Sequence, residues 1–162
     1  MTHEEAVAKL AKMIKGIQIA MLTTIDSKGR LQSRPMATQQ VEFDGDLWFF
    51  TGWDTHKTSE ISENNQVNVS YSSPDDNRYV SVSGNASLVS DKAKMAELWN
   101  PLLKAWFPDG LEDPNIVLLK VEVHKAEYWD TGSSKVVQIV GFVKALATGE
   151  RYQPGDNKVL SL

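Results

Sequence analysis

A mainly-β domain, about six short strands in hairpin order closing a small antiparallel barrel with helices at its ends and edges, is the fold this sequence predicts. Three observations lead there. Short apolar or alternating runs recur through both halves of the chain, turn residues separate them, and helical periodicity is confined to a few stretches. At 162 residues the chain is long enough for one domain with a sizeable core. Residues 1–150 read as that domain, and 151–162 as a polar, loose C-terminal tail.

Taken in order, Thr2 and Glu5 form a capping box, after which Val7, Leu10, Ile14 and Ile17 recur on one helical face. Gln18 to Ile25 is an apolar run suited to a buried strand. Asp26-Ser27-Lys28-Gly29 then turns the chain into an extended stretch from Leu31 to Phe43. Within it Gln32, Arg34, Met36, Thr38 and Gln40 share one parity. That set is polar, so the opposite one (Leu31, Ala37, Val41 and Phe43) is expected to face the core. Pro35 cannot donate to a ladder and predicts an edge or a bulge beside Arg34. Asp44-Gly45 is a hairpin signal feeding Leu47-Trp48-Phe49-Phe50. Two alternating strands follow, through Val67, Val69 and Tyr71 and from Tyr79 to Val89. Ser90 or Asp91 caps a helix carrying Met95, Leu98 and Trp99, and Asn100-Pro101 restarts a short one through Trp106. Val117, Leu119, Val121 and Val123 form a long strand running toward Trp129. Ser133 or Ser134 caps a last helix with Val136, Val140, Val143 and Ala147 inward, closed by Gly149.

Composition removes several classes of function. There is no cysteine, hence no disulfide, thiolate zinc site or cysteine nucleophile, and the chain suits a reducing cytoplasm. A net charge of -4 offers no basic field to nucleic acid or an anionic membrane. No apolar run approaches the roughly 20 residues that span a bilayer, and the acidic start Met1-Thr2-His3-Glu4-Glu5 does not read as a signal peptide. His3, His56 and His124 lack ligand spacing, so no metal is expected. Dinucleotide, Walker and nucleophile-elbow motifs are all missing.

What remains is a set of residues suited to an anion. Arg34 lies in the strand after the first turn. In Thr51-Gly52-Trp53-Asp54-Thr55-His56-Lys57-Thr58 a strand ends, Gly52 allows a tight turn, and Thr55 caps a helix whose first turn holds Lys57. Free backbone N–H groups at a helix start favour an anion, and a lysine there is otherwise badly placed against the dipole. Together, the arginine and the helix start make a phosphate clamp.

These residues resemble the pyridoxamine 5′-phosphate oxidase-like, FMN-binding split-barrel superfamily, in particular its bacterial general stress proteins. Ser33-Arg34-Pro35-Met36 is similar to the family's phosphate-side strand. Phe49-Phe50-Thr51 followed by Thr55-His56-Lys57 matches an aromatic pair, Thr, then Ser-Arg-Lys. Glu63-Asn64-Asn65-Gln66-Val67 resembles its Glu-Asn-Asn turn and Val80-Ser81-Val82-Ser83-Gly84-Asn85-Ala86 the next strand. Leu98-Trp99-Asn100, Trp106-Phe107-Pro108-Asp109-Gly110 and Glu127-Tyr128-Trp129 look like the stress-protein branch. The resemblance covers most of residues 5 to 130.

It implies a six-stranded antiparallel split β-barrel flanked by helices, bound FMN, and a homodimer with flavin sites at the subunit interface. Arg34 and Lys57 become the phosphate ligands, with His56 and the hydroxyls of Thr55 or Thr58 beside them. Backbone around Met36 and at Phe50-Thr51 edges the ring, Tyr79 replaces a ring-contacting glutamine, and Trp106 is a candidate contribution from the partner subunit. Ser70, Tyr79 and Ser81 share the polar parity of one hairpin, expected to face the flavin cleft while Val69, Val80 and Val82 fill the barrel. Two departures thin the charge at the phosphate: His56 replaces an arginine, and Gln39 a second lysine. The C-terminal Arg-x-His segment of the oxidases is missing, which disfavours vitamin B6 oxidation. A flavin-dependent oxidoreductase and a stress protein that only binds or sequesters flavin both fit.

Overall fold

The structure is a computed structural model, and it describes residues 1–39, 43–132, 135–152 and 155–162. Helix α1 (His3–Ile14) opens on the predicted capping box: the Thr2 N–H donates to Glu5 Oε2 (2.8 Å) and the Glu5 N–H to Thr2 Oγ1 (3.2 Å). Ala6, Leu10 and Met13 are its buried residues. Strands β1 (Ile19–Ile25) and β2 (Leu31–Ala37) form a hairpin. Its turn is held by Asp26, which accepts from the Lys28 and Arg30 N–H groups at 2.9 Å each. β3 (Asp46–Gly52), α2 (His56–Glu63), β4 (Gln66–Ser73) and β5 (Arg78–Val89) follow. The second half holds α3 (Lys92–Leu98), β6 (Ile116–Asp130), α4 (Lys135–Thr148) and β7 (Asp156–Ser161).

The strands run antiparallel in the order β2-β1-β4-β5-β6-β3, with β7 added to β6. Among the described residues six strands thus make the half-barrel, accompanied by four α-helices. β6 is long enough to serve two partners: its first half pairs β3 and its second half β7. β5 spans both, with a bulge at Ser83/Gly84. No Cβ fits at Gly84, where it would sit 2.2 Å from the Glu122 carbonyl oxygen. The main core fills the barrel beneath α1 with Leu22, Phe49, Val69, Val82, Leu119 and Tyr128 among its members. A second cluster joins Phe50, Ile116 and Leu118 to Met95, Leu98 and Leu103. Among the described residues, no helix is long and apolar enough to cross a membrane.

Five expectations are corrected. Asp44-Gly45 does not close a hairpin, because β2 and β3 lie at opposite ends of the strand order; β3 finds seven pairing partners on β6 instead. The extended stretch from Leu31 stops at Ala37. Its inward face is also the other one: Met36 is 7% exposed and Leu31 72%. Residues opposite each other in a ladder share a face, and β1 places Ala20 and Leu22 inside opposite Met36 and Arg34, so Arg34 is carried inward with them. Val41 lies outside the described residues.

The tail is not loose, since β7 pairs six residues of β6 and buries Leu160. Tyr128 reaches Asp156 with its hydroxyl (3.5 Å), and burial together with that carboxylate raises its phenol pKa. Finally, Val140 and Val143 on α4 are 61% and 57% exposed rather than inward, and Ala147 is exposed too, because α1 already covers the barrel core. Ser133, Ser134 and the side chain of Val136 lie outside the described residues. Because β7 is held by one deep anchor, Leu160→Ala should cost about 2–4 kcal/mol. Thermal or denaturant unfolding of the full chain measures it, and a loss below about 0.5 kcal/mol would mean the strand is detached.

Candidate functional site

The site is built where β3 ends and α2 begins. Gly52 is the last residue of β3, and a Cβ there would lie 2.6 Å from Asn115 Nδ2. Asn115 holds the turn from outside: its carbonyl accepts from Trp53 N–H (2.9 Å), its amide donates to Asp54 Oδ1 (2.8 Å) and its Oδ1 accepts from Asp54 N–H (3.3 Å). Thr55 caps α2 by accepting from the Thr58 N–H at 3.3 Å. Both threonine hydroxyls then return to the Gly52 carbonyl, Thr58 at 2.8 Å and Thr55 at 3.2 Å. The strand end and the helix start are therefore one hydrogen-bonded unit.

Arg34 arrives from β2 and is gripped on one side. Its Nη1 donates to Thr24 Oγ1 (2.6 Å) and, at 3.5 Å, to the Leu22 carbonyl; its Nη2 pairs with Glu60 Oε2 at 3.0 Å. Thr24, fully buried on β1, donates its hydroxyl to the same Glu60 oxygen. A guanidinium has five N–H donors, and three are engaged here, which leaves Nε–H and one Nη2–H without a partner among the described residues.

Lys57 stands in the first turn of α2, three residues before Glu60. Burial lowers its ammonium pKa from the ordinary 10.5, the charge of Arg34 lowers it further, and Asp54 offsets part of the effect. So the arginine and the lysine that the sequence places on separate elements are brought within electrostatic reach. Their mutual repulsion is only partly answered. On β3, one residue before Gly52, Thr51 Oγ1 is buried without a hydrogen-bond partner among the described residues. Two partly desolvated cations at a capped helix start make a site that an anion would complete.

Other expected site residues lie at several places. His56 is exposed on α2, and Thr58 is buried with its hydroxyl committed to Gly52. Phe50 is buried edge-on against Trp99, with ring centroids 5.7 Å apart, and Met36 is buried beside β1. Ser33 shares a 2.6 Å hydrogen bond with Thr23. Pro35 is exposed and opens an outward row that continues across the sheet through Met21, Ser70 and Ser81. Ser81 accepts from Asn68 Nδ2 at 2.9 Å. Tyr79, opposite Trp129, is exposed on that outward face, while Val69, Val80 and Val82 are buried on the other. Trp106 is exposed after a short 3-10 segment, remote from these contacts in sequence.

Glu60, Thr24 and Asn115 escape the sequence reading. Glu60 carries one usable signal, a carboxylate one helical turn after Lys57. Thr24 and Asn115 carry none, because their roles depend on contacts 36 and 61 residues away in sequence.

A family model described as pyridoxamine 5'-phosphate oxidase like matches residues 5–153. The chain belongs to that family. Among relatives, protein bli-3 of Neurospora crassa is 31% identical over 157 residues, covering 91% of this chain and 75% of that one. General stress protein 26 of Bacillus subtilis is 26% identical over 144 residues, 86% of this chain and 99% of the relative. The solved general stress FMN/FAD binding protein from Xanthomonas citri is 32% identical, with a TM-score of 0.68 over 81% of this chain and 92% of that structure. The family match runs over α1, the whole half-barrel and α4, so it includes every residue of the cation pair's surroundings.

Lys57 also sets a pH dependence. Its folded pKa lies below the unfolded value, so the unfolded chain binds the extra proton. The ligand-free protein therefore carries a penalty below the folded pKa that fades as pH rises toward 10.5. Lys57→Met should raise the melting temperature at pH 7, with the gain shrinking at pH 10. An unchanged melting temperature at pH 7 would show that the two cations do not burden the fold.

Proposed function

We propose that this chain binds FMN, with Arg34 and Lys57 holding its phosphate at the start of α2. The observation that carries this reading is the convergence of two partly buried cations whose charges repel, at a capped helix start. A phosphate dianion relieves the repulsion and accepts from both cations without proton transfer. Family membership supports the choice, as does the flavin named for the Xanthomonas citri relative. Arg34 contributes its two remaining N–H donors, Lys57 a point charge, and α2 its leading N–H groups. Glu60 and Thr24 position the guanidinium, and Asn115 with Gly52 fixes the turn. Bound there, the flavin would supply hydride and electron transfer, and the protein's part is to hold and orient it.

We further propose that the protein is a homodimer, and that the outward sheet face bearing Ile19, Met21, Tyr79 and Trp129 is covered by a second copy. Four large exposed apolar side chains on one strand surface are more than a lone monomer usually shows. A flavin beside that face would lie at the interface, with Ser81 on the same outward row. A cytoplasmic oxidoreductase is the activity proposed. A binder that turns nothing over has one observation in its favour: among the described residues, the two carboxylates that meet the cation pair are both engaged, Glu60 by Arg34 and Asp54 by Asn115.

Arg34→Ala and Lys57→Ala should each weaken FMN binding about ten- to a hundredfold and riboflavin binding far less, since a charge-assisted contact is worth roughly 1.5–3 kcal/mol. Fluorescence titration with both flavins checks this; unchanged FMN preference in both variants would move the anion site elsewhere. In sedimentation the wild type should run as a dimer and Met21→Glu as a monomer at micromolar concentration. Anaerobic mixing of the FMN-loaded protein with NADH or NADPH separates the two activities: bleaching of the flavin bands marks an oxidoreductase, and persistent yellow colour with both donors favours the binder.

A further inference from the structure

Helix α4 is inside out for a helix of a lone molecule. With about 3.6 residues per turn, Phe142, Leu146, Ile139, Val143 and Val140 fall on one broad stripe, and all five are 52–71% exposed. The opposite side carries Gly141 and Ala145, and from residue 139 to 148 only these two small residues are half-buried. Gly141 is the side turned to the rest of the chain: a Cβ built there would lie 3.3 Å from Tyr152 Cε2. Phe142 touches the same ring edge-on, with centroids 5.8 Å apart. A surface helix ordinarily buries its large apolar residues and turns the others to water. Here the large ones are left outside.

A second copy of the chain offers a matching surface. On the outward sheet face Ile19, Met21, Tyr79, Trp129 and Val159 are 39–52% exposed. α4 joins the end of β6 to the start of β7, where Asp130 pairs with Asp156, so it springs from an edge of that same sheet. We propose that each copy lays the apolar stripe of α4 on the outward sheet face of the other. The assignment rests on the homodimer proposed above and states what holds it. Five side chains so exposed present on the order of 400–500 Å², so either surface alone falls short of the roughly 800 Å² each partner of a stable interface buries, and the two together reach it. A two-fold axis makes both contacts at once. Charge agrees: Lys144, one turn after Val140, borders the stripe, and Glu127 stands between Ser81 and Val159 on the sheet. A membrane surface fits less well, because interfacial helices are rich in basic residues, whereas α4 has only Lys135 and Lys144 and the chain is charged -4.

The test is a full-length chain carrying both Ile139→Glu and Val143→Glu. Both positions are exposed within one chain, and glutamate is a better helix former than isoleucine or valine, so circular dichroism should match the wild type. In sedimentation equilibrium the variant should dimerise at least about a hundredfold more weakly, since its carboxylates would be buried against an apolar face. The chain has no cysteine, so placed thiols report contacts cleanly. Val143→Cys chains mixed with Trp129→Cys chains and treated with a bismaleimide should give a bridged peptide joining the two positions, identified by mass spectrometry. The wild type should not float with phosphatidylcholine–phosphatidylglycerol vesicles. A dimer as tight in the glutamate variant as in the wild type overturns the assignment, as does absence of the bridged peptide. Flotation of the wild type that the variant loses overturns it in favour of a membrane surface. A monomeric wild type removes the proposed homodimer as well; a wild-type dimer that Met21→Glu dissociates and the α4 variant does not removes the helix contact alone.

Discussion

One carboxylate organises the candidate site. Glu60 receives the Arg34 guanidinium and the Thr24 hydroxyl on the same oxygen, which ties α2 to β1 and β2 at once. Without it Arg34 and Lys57 would be two partly desolvated cations with Asp54 beside the lysine, and α2 would lose its polar link to β1 and β2. Such an arrangement does not minimise the energy of the empty protein. Glu60 neutralises one of the two positive charges and leaves the other largely unmet, so the site is poised for a ligand carrying negative charge.

The half-barrel makes that juxtaposition possible. β2 and β3 stand at opposite ends of the strand order, yet both lead into the same corner, β2 with Arg34 and β3 with the Gly52 turn into α2. β6, paired with β3 along one half and β7 along the other, spans both sections of the sheet. Inside, the alternating valines of β4 and β5 fill the core; outside, their serines and Tyr79 remain on an open face. The polar row and the neighbouring exposed aromatic residues therefore follow from a single period-2 pattern read on its two sides.

Much of this was legible in the residues. Period-2 alternation in 67–72 and 79–89 reports its own strands and its own inward face, because the signal is local. The caps at Thr2, Thr55 and Asp91 are equally local, a side-chain oxygen meeting backbone N–H groups two or three residues on. Family motifs from Ser33 to Gly110 mark Arg34 and Lys57 as a pair, and the structure brings the two together.

Where the reading failed, the deciding partner was distant. The face of β2 turned on Ala20 and Leu22 of β1, which outweigh the polar look of Gln32 and Arg34: an arginine is tolerated inside when a buried threonine and a carboxylate meet it. Asp44-Gly45 carries hairpin chemistry, but the longer ladder with β6 took β3 to the far edge. The tail looked loose because its composition is polar, and a strand held by edge pairing and the one anchor Leu160 needs little apolar content of its own. Local chemistry thus sufficed for most of the elements and their caps, and it singled out Arg34 and Lys57. Which face of β2 points inward, which strand β3 joins, and how Glu60 and Thr24 share Arg34 depended on contacts between residues far apart in the chain, whose geometry no local pattern encodes.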